Sequence, residues 1–197
     1  MEFRYLGPLE VVRPGERPAA LGGPRQRSVL AVLLLRANEP VGLDAVVDEV
    51  WAGAPTETAN AYVHNCVSRL RKALGADVLE TRAGGYVLHA GDDEIDAVRF
   101  DRAVHAAASL EPRERASALR EALSLWRGAA FADLSFEPFA QAEIRRLEEL
   151  RLVALEDRIE AELELDLHHD LLAELAALVA RHPTRERLRG LQLLALH

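Results

Sequence analysis

The sequence predicts an α+β domain followed by an all-α domain. Short β-prone runs flank three helical segments in the first part of the chain, and helical periodicity is nearly continuous from residue 96 onward. The polar acidic stretch Gly91–Ile95 separates the two parts. Alternating or β-branched runs bounded by turn residues are typical of strands, whereas apolar spacings of three and four predict helices. We therefore expect domains at residues 1–91 and 92–197.

The N-terminal segment predicts a small antiparallel sheet. Phe3–Gly7 and Leu9–Arg13 are β-prone runs separated by a Gly-Pro turn signal. We expect a third short strand within Pro18–Gly23, so that strands open the first domain.

The first helix is predicted to begin at Pro24, a residue favoured in the first turn, and to end near Asn38. Its first turn carries Arg25 and Arg27, although cations are unfavourable at the positive end of a helix dipole. A nearby phosphate would explain the placement of both residues. The alternative is two solvated arginines.

Two further helices are predicted, a short one over Leu43–Trp51 and a longer one over Thr56–Leu74. Thr56 is the expected N-cap of the longer helix, and its hydroxyl can also contact a phosphate. Gly75 is expected to end this helix, because glycine is favoured just after a helix C-terminus.

The helix predicted over Thr56–Leu74 combines a narrow apolar stripe with a polar face. The side chains of its polar face and flanks can form hydrogen bonds with base edges or phosphates in a DNA major groove. These side chains are Asn60, His64, Asn65, Ser68 and Arg69. Together with Thr56, its last turn offers Arg71 and Lys72 as phosphate contacts. The alternative is an ordinary amphipathic helix with a solvated face.

A glycine-containing hairpin is predicted after this helix, with strands at Val78–Thr81 and Tyr86–His89. Helices followed by a two-stranded ribbon are the plan of a winged helix, with Thr56–Leu74 as recognition helix. Arg82 at the ribbon tip can enter a minor groove or contact a phosphate, or it can be a solvated turn residue. Tyr86 can stack on the sugar backbone or pack under the wing.

The charges of the two parts differ. Residues 1–90 carry 10 basic and 10 acidic residues, whereas residues 91–197 carry 14 and 22, which accounts for the net charge of −8. Local patches rather than net charge govern phosphate contacts. We therefore expect the first part to contact DNA and the acidic second part to have another role.

Several other classes of function are not indicated. The single cysteine, Cys66, cannot form an intrachain disulfide and is expected to be a small half-buried side chain, the alternative being a redox sensor. A metal site is not expected, because no standard ligand spacing matches His168, His169, Asp170 and His182. Without a phosphate-binding loop or a nucleophile elbow, we expect no cofactor and no enzyme activity. The absence of a signal peptide and of a long apolar run predicts a cytoplasmic protein without membrane contact.

The second part predicts successive amphipathic helices. Their expected bounds are Asp96–Ala108, with Asp96 as a cap, Pro112–Trp126, about Phe139–Leu165, His168–Arg181 and Thr184–Leu196. The loop Gly128–Pro138 is expected to be held against the core by Phe131, Leu134 and Phe136. This pattern resembles tetratricopeptide-type stacking. Because the last helix has no partner after it, we expect a domain truncated at its C-terminus with an apolar edge that favours self-association.

Segments in both parts carry a resemblance to one known family. In the first part they are FRYLGPLEV, GGPRQRSVLAVLLLRAN, VVDEVWAGAP, YVHNCVSRLRKALG and TRAGGYVL. In the second part they are DAVRFDRAVHAA, ALSLWRGAAFADL, LRLVALEDRIEAEL and ARHPTRERLRGLQLLALH. The first part resembles the OmpR-type winged helix of the Streptomyces antibiotic regulatory protein (SARP) family. The second part resembles the bacterial transcriptional activator domain that comes after it in that family.

The resemblance implies a DNA-binding transcriptional activator of an antibiotic biosynthetic gene cluster. Such a protein would bind promoter direct repeats as a homodimer and recruit RNA polymerase. The competing hypothesis is an adaptor whose helical repeats bind a protein partner, with the winged helix used as an interaction module. Salt distinguishes the two, because DNA binding through phosphates weakens steeply as salt rises.

Overall fold

The computed structural model describes residues 1–54, 56–166 and 168–196, with side chains for all of these except 168–170. The chain forms two compact units. One comprises Met1–Arg99 and Trp126–Leu147, and the other comprises Phe100–Leu125 and Glu148–His197. The sequence-based boundary at residues 91 and 92 stays a prediction, and the compact units divide the chain differently.

The first unit begins with a two-stranded antiparallel sheet. Strand β1, Glu2–Arg4, pairs with β2, Glu10–Val12, over three residues each. The third strand predicted within Pro18–Gly23 is wrong. Ala19 donates one backbone hydrogen bond to Val11 O at 2.8 Å, but Pro18 has no N–H to continue a ladder.

Three helices build the core of the first unit. They are α1, Pro24–Leu34, α2, Leu43–Val50, and α3, Ala59–Leu74. The apolar stripe predicted for the third helix is at most 1% exposed, at Val63, Val67, Leu70 and Leu74. This burial fixes α3 with its polar side outward.

The wing is a three-stranded sheet in the order β3-β5-β4. Strand β3 is Val41–Gly42, β4 is Leu79–Arg82 and β5 is Gly85–Leu88. A Cβ at Gly85 would lie 2.0 Å from the carbonyl oxygen of Val41, so the close approach of β3 requires glycine there. The predicted hairpin is therefore present, with a short additional strand from the residues before α2.

The segment Trp126–Leu147, called here the returning segment, folds with the first unit. Phe131 N donates to Tyr5 O at 2.9 Å, and the two aromatic rings stack with centroids 4.5 Å apart. The buried side chain of Asp96 accepts hydrogen bonds from Tyr5 N at 2.9 Å and Leu6 N at 3.0 Å. The loop between β1 and β2 is thus held by residues that lie far away in sequence.

The returning segment corrects one sequence prediction. Phe131 and Leu134 are buried as predicted, but Phe136 is 97% exposed. Its flanking backbone is held by Gln141, whose Nε2 donates to Ser135 O at 2.6 Å and to Glu137 O at 3.3 Å. These bonds hold the loop with the phenyl ring directed to solvent.

The second unit is helical. The helices of the second part are α4, Asp96–Ala107, α5, Pro112–Leu123, α6, Gln141–Leu163, α7, His168–Arg181, and α8, Glu186–Ala195. The first residues of α4 and α6 belong to the first unit. A leucine-rich core joins α6, α7 and α8, through residues such as Leu152, Ile159, Leu175, Leu178 and Leu188.

Buried ion pairs account for part of the acidic composition. Glu156 is 1% exposed and accepts two hydrogen bonds from Arg185, at 2.9 and 3.0 Å. Glu162 is 3% exposed and is paired with Arg120 at 2.7 Å. Buried carboxylates need such partners, so these acids serve the helical core.

Candidate nucleic-acid interface

The outer face of α3 presents a continuous set of polar side chains to solvent. The exposed members are Asn60, His64, Asn65, Ser68, Arg69 and Lys72. On this helix of 16 residues, Asn65, Ser68 and Lys72 lie opposite the buried stripe, and the other three lie on its flanks. Amide, hydroxyl and guanidinium groups can pair with base edges in a major groove, so this face has the chemistry that the sequence predicts for it.

The start of α3 differs from the prediction. The N-cap is Thr58 rather than Thr56, and the helix begins at Ala59. Thr56 precedes a turn in which Ala59 N donates to Thr56 O at 3.0 Å. The Thr56 hydroxyl lies 3.3 Å from the Thr58 hydroxyl and is exposed. Thr56 therefore keeps an accessible hydroxyl, but not as the cap.

Arg71 connects α3 to the wing. Its Nε donates to Leu79 O at 2.7 Å, and its Nη2 donates to the Thr81 hydroxyl at 2.7 Å. Both acceptors lie on β4. Arg71 is predicted to contact a phosphate, but two of its N–H donors are directed to β4 instead. These two hydrogen bonds fix the wing against the recognition helix.

His64 and Tyr86 form a second link between α3 and the wing. His64 Nδ1 is hydrogen-bonded to the Tyr86 hydroxyl, and the rings meet edge to face at 6.1 Å. Tyr86 is 4% exposed, and its burial raises the pKa of the hydroxyl. The ring of Tyr86 is packed under the wing, which leaves its face inaccessible to a sugar.

The β4–β5 hairpin carries a small charged cluster, with Arg82 at its tip. Arg82 Nε lies 2.8 Å from Glu80 Oε1, and Arg82 remains 60% exposed. His89 Nε2 lies 3.0 Å from the other Glu80 oxygen. The hydrogen bonds from His89 and Arg82 lower the pKa of Glu80. Arg82 is therefore accessible to a phosphate, but a carboxylate competes for it.

Sequence reasoning missed Tyr62, which lies in the first turn of α3. Trp51 has the Arg25 guanidinium 5.0 Å above its ring and the Tyr62 ring 5.7 Å away at its edge. Tyr62 is 40% exposed. Through these contacts with Trp51, the Arg25 guanidinium lies at the N-terminal end of α1 and the Tyr62 phenol at that of α3. In the sequence, an aromatic residue among the polar residues of a first turn is the feature that indicates Tyr62.

Arg27 has an internal partner, and the phosphate contact predicted for it stays a prediction. Its Nη2 lies 2.5 Å from Asp133 Oδ2 and it also donates to the Leu9 carbonyl oxygen. The other oxygen of Asp133 accepts from Leu9 N at 2.7 Å. A carboxylate of the returning segment thus lies beside Arg27 near the first turn of α1.

Other chemistry is sparse in the described part of the chain. Cys66 is 3% exposed and burial raises the pKa of its thiol, which fits a packed rather than a reactive side chain. Among described residues no three His, Cys, Asp or Glu side chains are grouped to hold a metal ion. The side chains of His168, His169 and Asp170 lie outside that description. No described helix has the length and apolar character that crossing a membrane requires.

Known families match both parts of the chain. The bacterial transcriptional activator domain matches residues 95–197, and the C-terminal domain of transcriptional regulatory proteins matches residues 17–88. The regulatory protein DnrI of Streptomyces peucetius is 36% identical over 212 residues, which cover 100% of this chain and 78% of DnrI. The chain belongs to the SARP family. This is a family of transcriptional regulators rather than enzymes.

Other SARP relatives are longer. AfsR of Streptomyces coelicolor is 38% identical over all of this chain, which spans 20% of AfsR. The solved structure of Mycobacterium tuberculosis EmbR superposes with a TM-score of 0.90 at 36% identity, covering 98% of this chain and 54% of EmbR. The predicted fold class, an OmpR-type winged helix followed by a helical domain, is confirmed. The contact residues predicted for DNA stay predictions.

Proposed function

We propose that this SARP chain is a sequence-specific DNA-binding activator that recognises promoter direct repeats as a homodimer and recruits RNA polymerase. It would act in the cytoplasm, on the nucleoid, at an antibiotic biosynthetic gene cluster. One observation carries the proposal: α3 exposes six polar side chains on its outer face and flanks while its apolar stripe is buried, and Arg71 of α3 is hydrogen-bonded to the wing.

The roles proposed for the side chains follow from their chemistry. Asn65 and Ser68, opposite the buried stripe, and Arg69 on the flank would contact base edges, as Asn suits adenine and Arg suits guanine. Asn60 and His64 would contact bases or phosphates nearer the start of α3. The side chains proposed to contact phosphates lie at the ends of α3, in the first turn of α1 and at the wing tip, and they are Arg25, Thr56, Lys72 and Arg82.

Charge distribution supports DNA contact by residues 1–90. Residues 1–90 are balanced, with 10 basic and 10 acidic residues. Several of these basic side chains are concentrated at α3 and the wing tip, where Arg69, Lys72 and Arg82 are exposed. A local cationic patch is sufficient to release counterions from DNA even when the whole protein is acidic. The antibiotic cluster and polymerase recruitment rest on membership of the family.

The test is selection of binding sites from a pool of random duplexes with the purified chain at two salt concentrations. We expect enrichment of a short repeated motif, with affinity for it falling as salt rises. Adding RNA polymerase holoenzyme to the selected duplex then tests recruitment, read as a slower-migrating ternary complex. No enrichment at either salt concentration contradicts DNA recognition and leaves the adaptor hypothesis.

A matched pair of variants makes the test specific. Lys72→Ala removes a cation from α3, and Arg113→Ala removes an exposed cation from α5. We expect Lys72→Ala to weaken binding to all duplexes and to reduce the salt slope by about one. Arg113→Ala should bind like the wild type. Equal behaviour of the two variants would contradict the proposed DNA-facing side of α3.

A further inference from the structure

His64 lies on the flank of α3 that faces the wing, and its imidazole is bonded to Tyr86 of β5. The hydrogen bond joins His64 Nδ1 to the Tyr86 hydroxyl, and the two rings meet edge to face. His64 is exposed, whereas Tyr86 is buried. The other ring nitrogen of His64, Nε2, has no hydrogen-bond partner within the described residues. It therefore lies on a side chain that DNA can reach.

The direction of this hydrogen bond follows from the surroundings of the Tyr86 hydroxyl. Burial raises the pKa of Tyr86, so the hydroxyl keeps its proton at neutral pH. A buried O–H that has no acceptor is unfavourable. His64 is the only hydrogen-bond partner of this hydroxyl in the described part of the chain, and the nearby Arg71 carries donors alone. The Tyr86 O–H therefore donates, and His64 Nδ1 accepts.

An accepting Nδ1 determines the form of the imidazole. A charged ring has a hydrogen on both nitrogens, and a neutral ring has a hydrogen on one of them. Because Nδ1 of His64 accepts, the ring is neutral and its hydrogen lies on Nε2. The hydrogen bond made by one ring nitrogen thus fixes the state of the other. His64 presents an uncharged N–H donor whose tautomer Tyr86 selects.

The place of His64 indicates which group of DNA this donor meets. The major groove is about 12 Å wide, and an α-helix with its side chains is about 10–12 Å across. A helix of that diameter fills the groove, so a side chain held on its flank faces a bordering phosphate backbone. Tyr86 holds His64 on the flank beside the wing, whereas Asn65 and Ser68 lie opposite the buried stripe.

We propose that His64 donates from Nε2 to a phosphate oxygen of the DNA backbone as a neutral imidazole, and that Tyr86 is the positioning residue that selects this tautomer. The inference rests on the proposed function, because the contact lies within the same DNA-facing surface. An uncharged donor does not neutralise a phosphate and so releases no counterion. The contact therefore adds affinity for all duplexes without the salt dependence that Lys72 and Arg82 produce.

The tautomer is tested on the free chain, labelled with nitrogen-15, at neutral pH. Long-range proton–nitrogen spectra distinguish Nδ1 from Nε2, and His64→Gln identifies the signals of His64. We expect the Nε2–H tautomer in the wild type. Tyr86→Phe keeps the ring and removes the hydroxyl, so it should increase the share of rings protonated at Nδ1. Tyr5→Phe, at another buried tyrosine of the first unit, is the matched control and should leave His64 unchanged.

Titrations at several salt concentrations test the phosphate contact, with a selected duplex and with duplexes mutated at single positions. His64→Ala should lower affinity for all of them by about fivefold, as one neutral hydrogen bond is lost, with the salt slope unchanged. His64→Arg places a cation against the same phosphate and should steepen the slope by about one. His105→Ala, at an exposed histidine of α4, is the matched control and should bind like the wild type.

A double-mutant cycle tests whether Tyr86 acts through His64. Tyr86→Phe should weaken binding by about twofold to threefold, and its addition to His64→Ala should cost nothing further. Additive losses would show that the hydroxyl acts independently and would overturn the positioning role. Circular dichroism shows whether each variant is folded. If Tyr86→Phe does not fold, the wild-type tautomer and the salt slope of His64→Arg decide the proposal.

The outcomes separate this inference from the proposed function. A wild-type chain that binds no duplex refutes the proposed function, whereas the tautomer of His64 is measured without DNA. A wild-type ring protonated at Nδ1 overturns the inference alone. So does a His64→Ala variant that binds like the wild type, or one that reduces the salt slope by about one, since the contact would then be ionic. A change in preference at a single base position also overturns it, because His64 would then contact a base edge.

Discussion

Arg71 on α3 donates from its Nε to the backbone carbonyl oxygen of Leu79 on β4 at 2.7 Å. Its Nη2 reaches the Thr81 hydroxyl, also at 2.7 Å. One guanidinium therefore sets the position of the wing relative to the recognition helix. The sequence predicts a phosphate contact for Arg71, and the structure shows that Arg71 also positions the wing. Experiments can separate these two roles.

Arg71→Lys keeps the charge and removes the two-point hydrogen bonding, because an ammonium cannot reproduce the planar fork of a guanidinium. We expect it to weaken binding to all duplexes by about tenfold, nearly as much as Arg71→Ala, with the salt slope unchanged. Titrations of a selected duplex at several salt concentrations measure both quantities. Thr81→Val is the control and should weaken binding less. A variant Arg71→Lys that binds like the wild type would assign Arg71 to phosphate contact alone.

Arg69 and Lys72 are expected to differ in how they affect sequence preference. Arg69→Ala should relax preference at one base position by about 1–3 kcal/mol, because a base-reading guanidinium is lost. Lys72→Ala should weaken all sequences alike. Competition with duplexes mutated at single positions measures the difference. The division of roles is wrong if Arg69→Ala leaves the preference profile unchanged.

Asp133→Ala should destabilise the first unit. The substitution removes the ion pair with Arg27 and the hydrogen bond from Leu9 N. Hydrogen bonds to charged groups contribute about 1.5–3 kcal/mol, so we expect a loss of that size in the free energy of unfolding in urea. Glu143→Ala, which breaks the more exposed pair with Arg146, is the control and should cost less than about 1 kcal/mol. Equal losses would show that Asp133 is an ordinary surface acid.

Tyr86 should make stability depend on alkaline pH. Burial raises the pKa of its hydroxyl above the ordinary value of 10.0. The folded state therefore holds this proton more tightly than the unfolded state, so its contribution is complete below pH 10 and declines as the pH rises through the raised pKa. Free energies of unfolding measured across that range should fall more steeply for the wild type than for Tyr86→Phe. Parallel curves would contradict the sign of the shift.

Local patterns were sufficient to predict the helices of this fold. The spacing of Val63, Val67, Leu70 and Leu74 predicts both the existence of α3 and the side it buries. The start of α3 was predicted three residues early, since Thr56 and Thr58 are both acceptable caps and only the turn decides between them. Strand β3 has two residues, too short to leave a pattern.

Long-range partners were not predictable from one sequence. Arg27 and Asp133 lie 106 residues apart, and no periodicity links them. In sequence, Arg71 is one more basic residue of a helix. Its hydrogen bonds depend on the position of β4 beside α3, which the sequence does not reveal. Phe136 resembles the buried Phe131 and Leu134 in sequence, but it is exposed beside a backbone that Gln141 holds by hydrogen bonds. Of these residues, Arg27 and Arg71 belong to the candidate site, and their internal partners change what the sequence predicts for them.

The returning segment bears on how relatives of this chain can recombine. Residues 126–147 lie inside the stretch matched by the activator domain, yet they pack with the winged helix. A chimera joined near residue 95 would pair the β1–β2 loop of one parent with the returning segment of the other. Such a hybrid needs a matching set at Tyr5, Arg27, Phe131 and Asp133, so we expect a winged helix to keep its fold on transfer only when residues 126–147 are transferred with it.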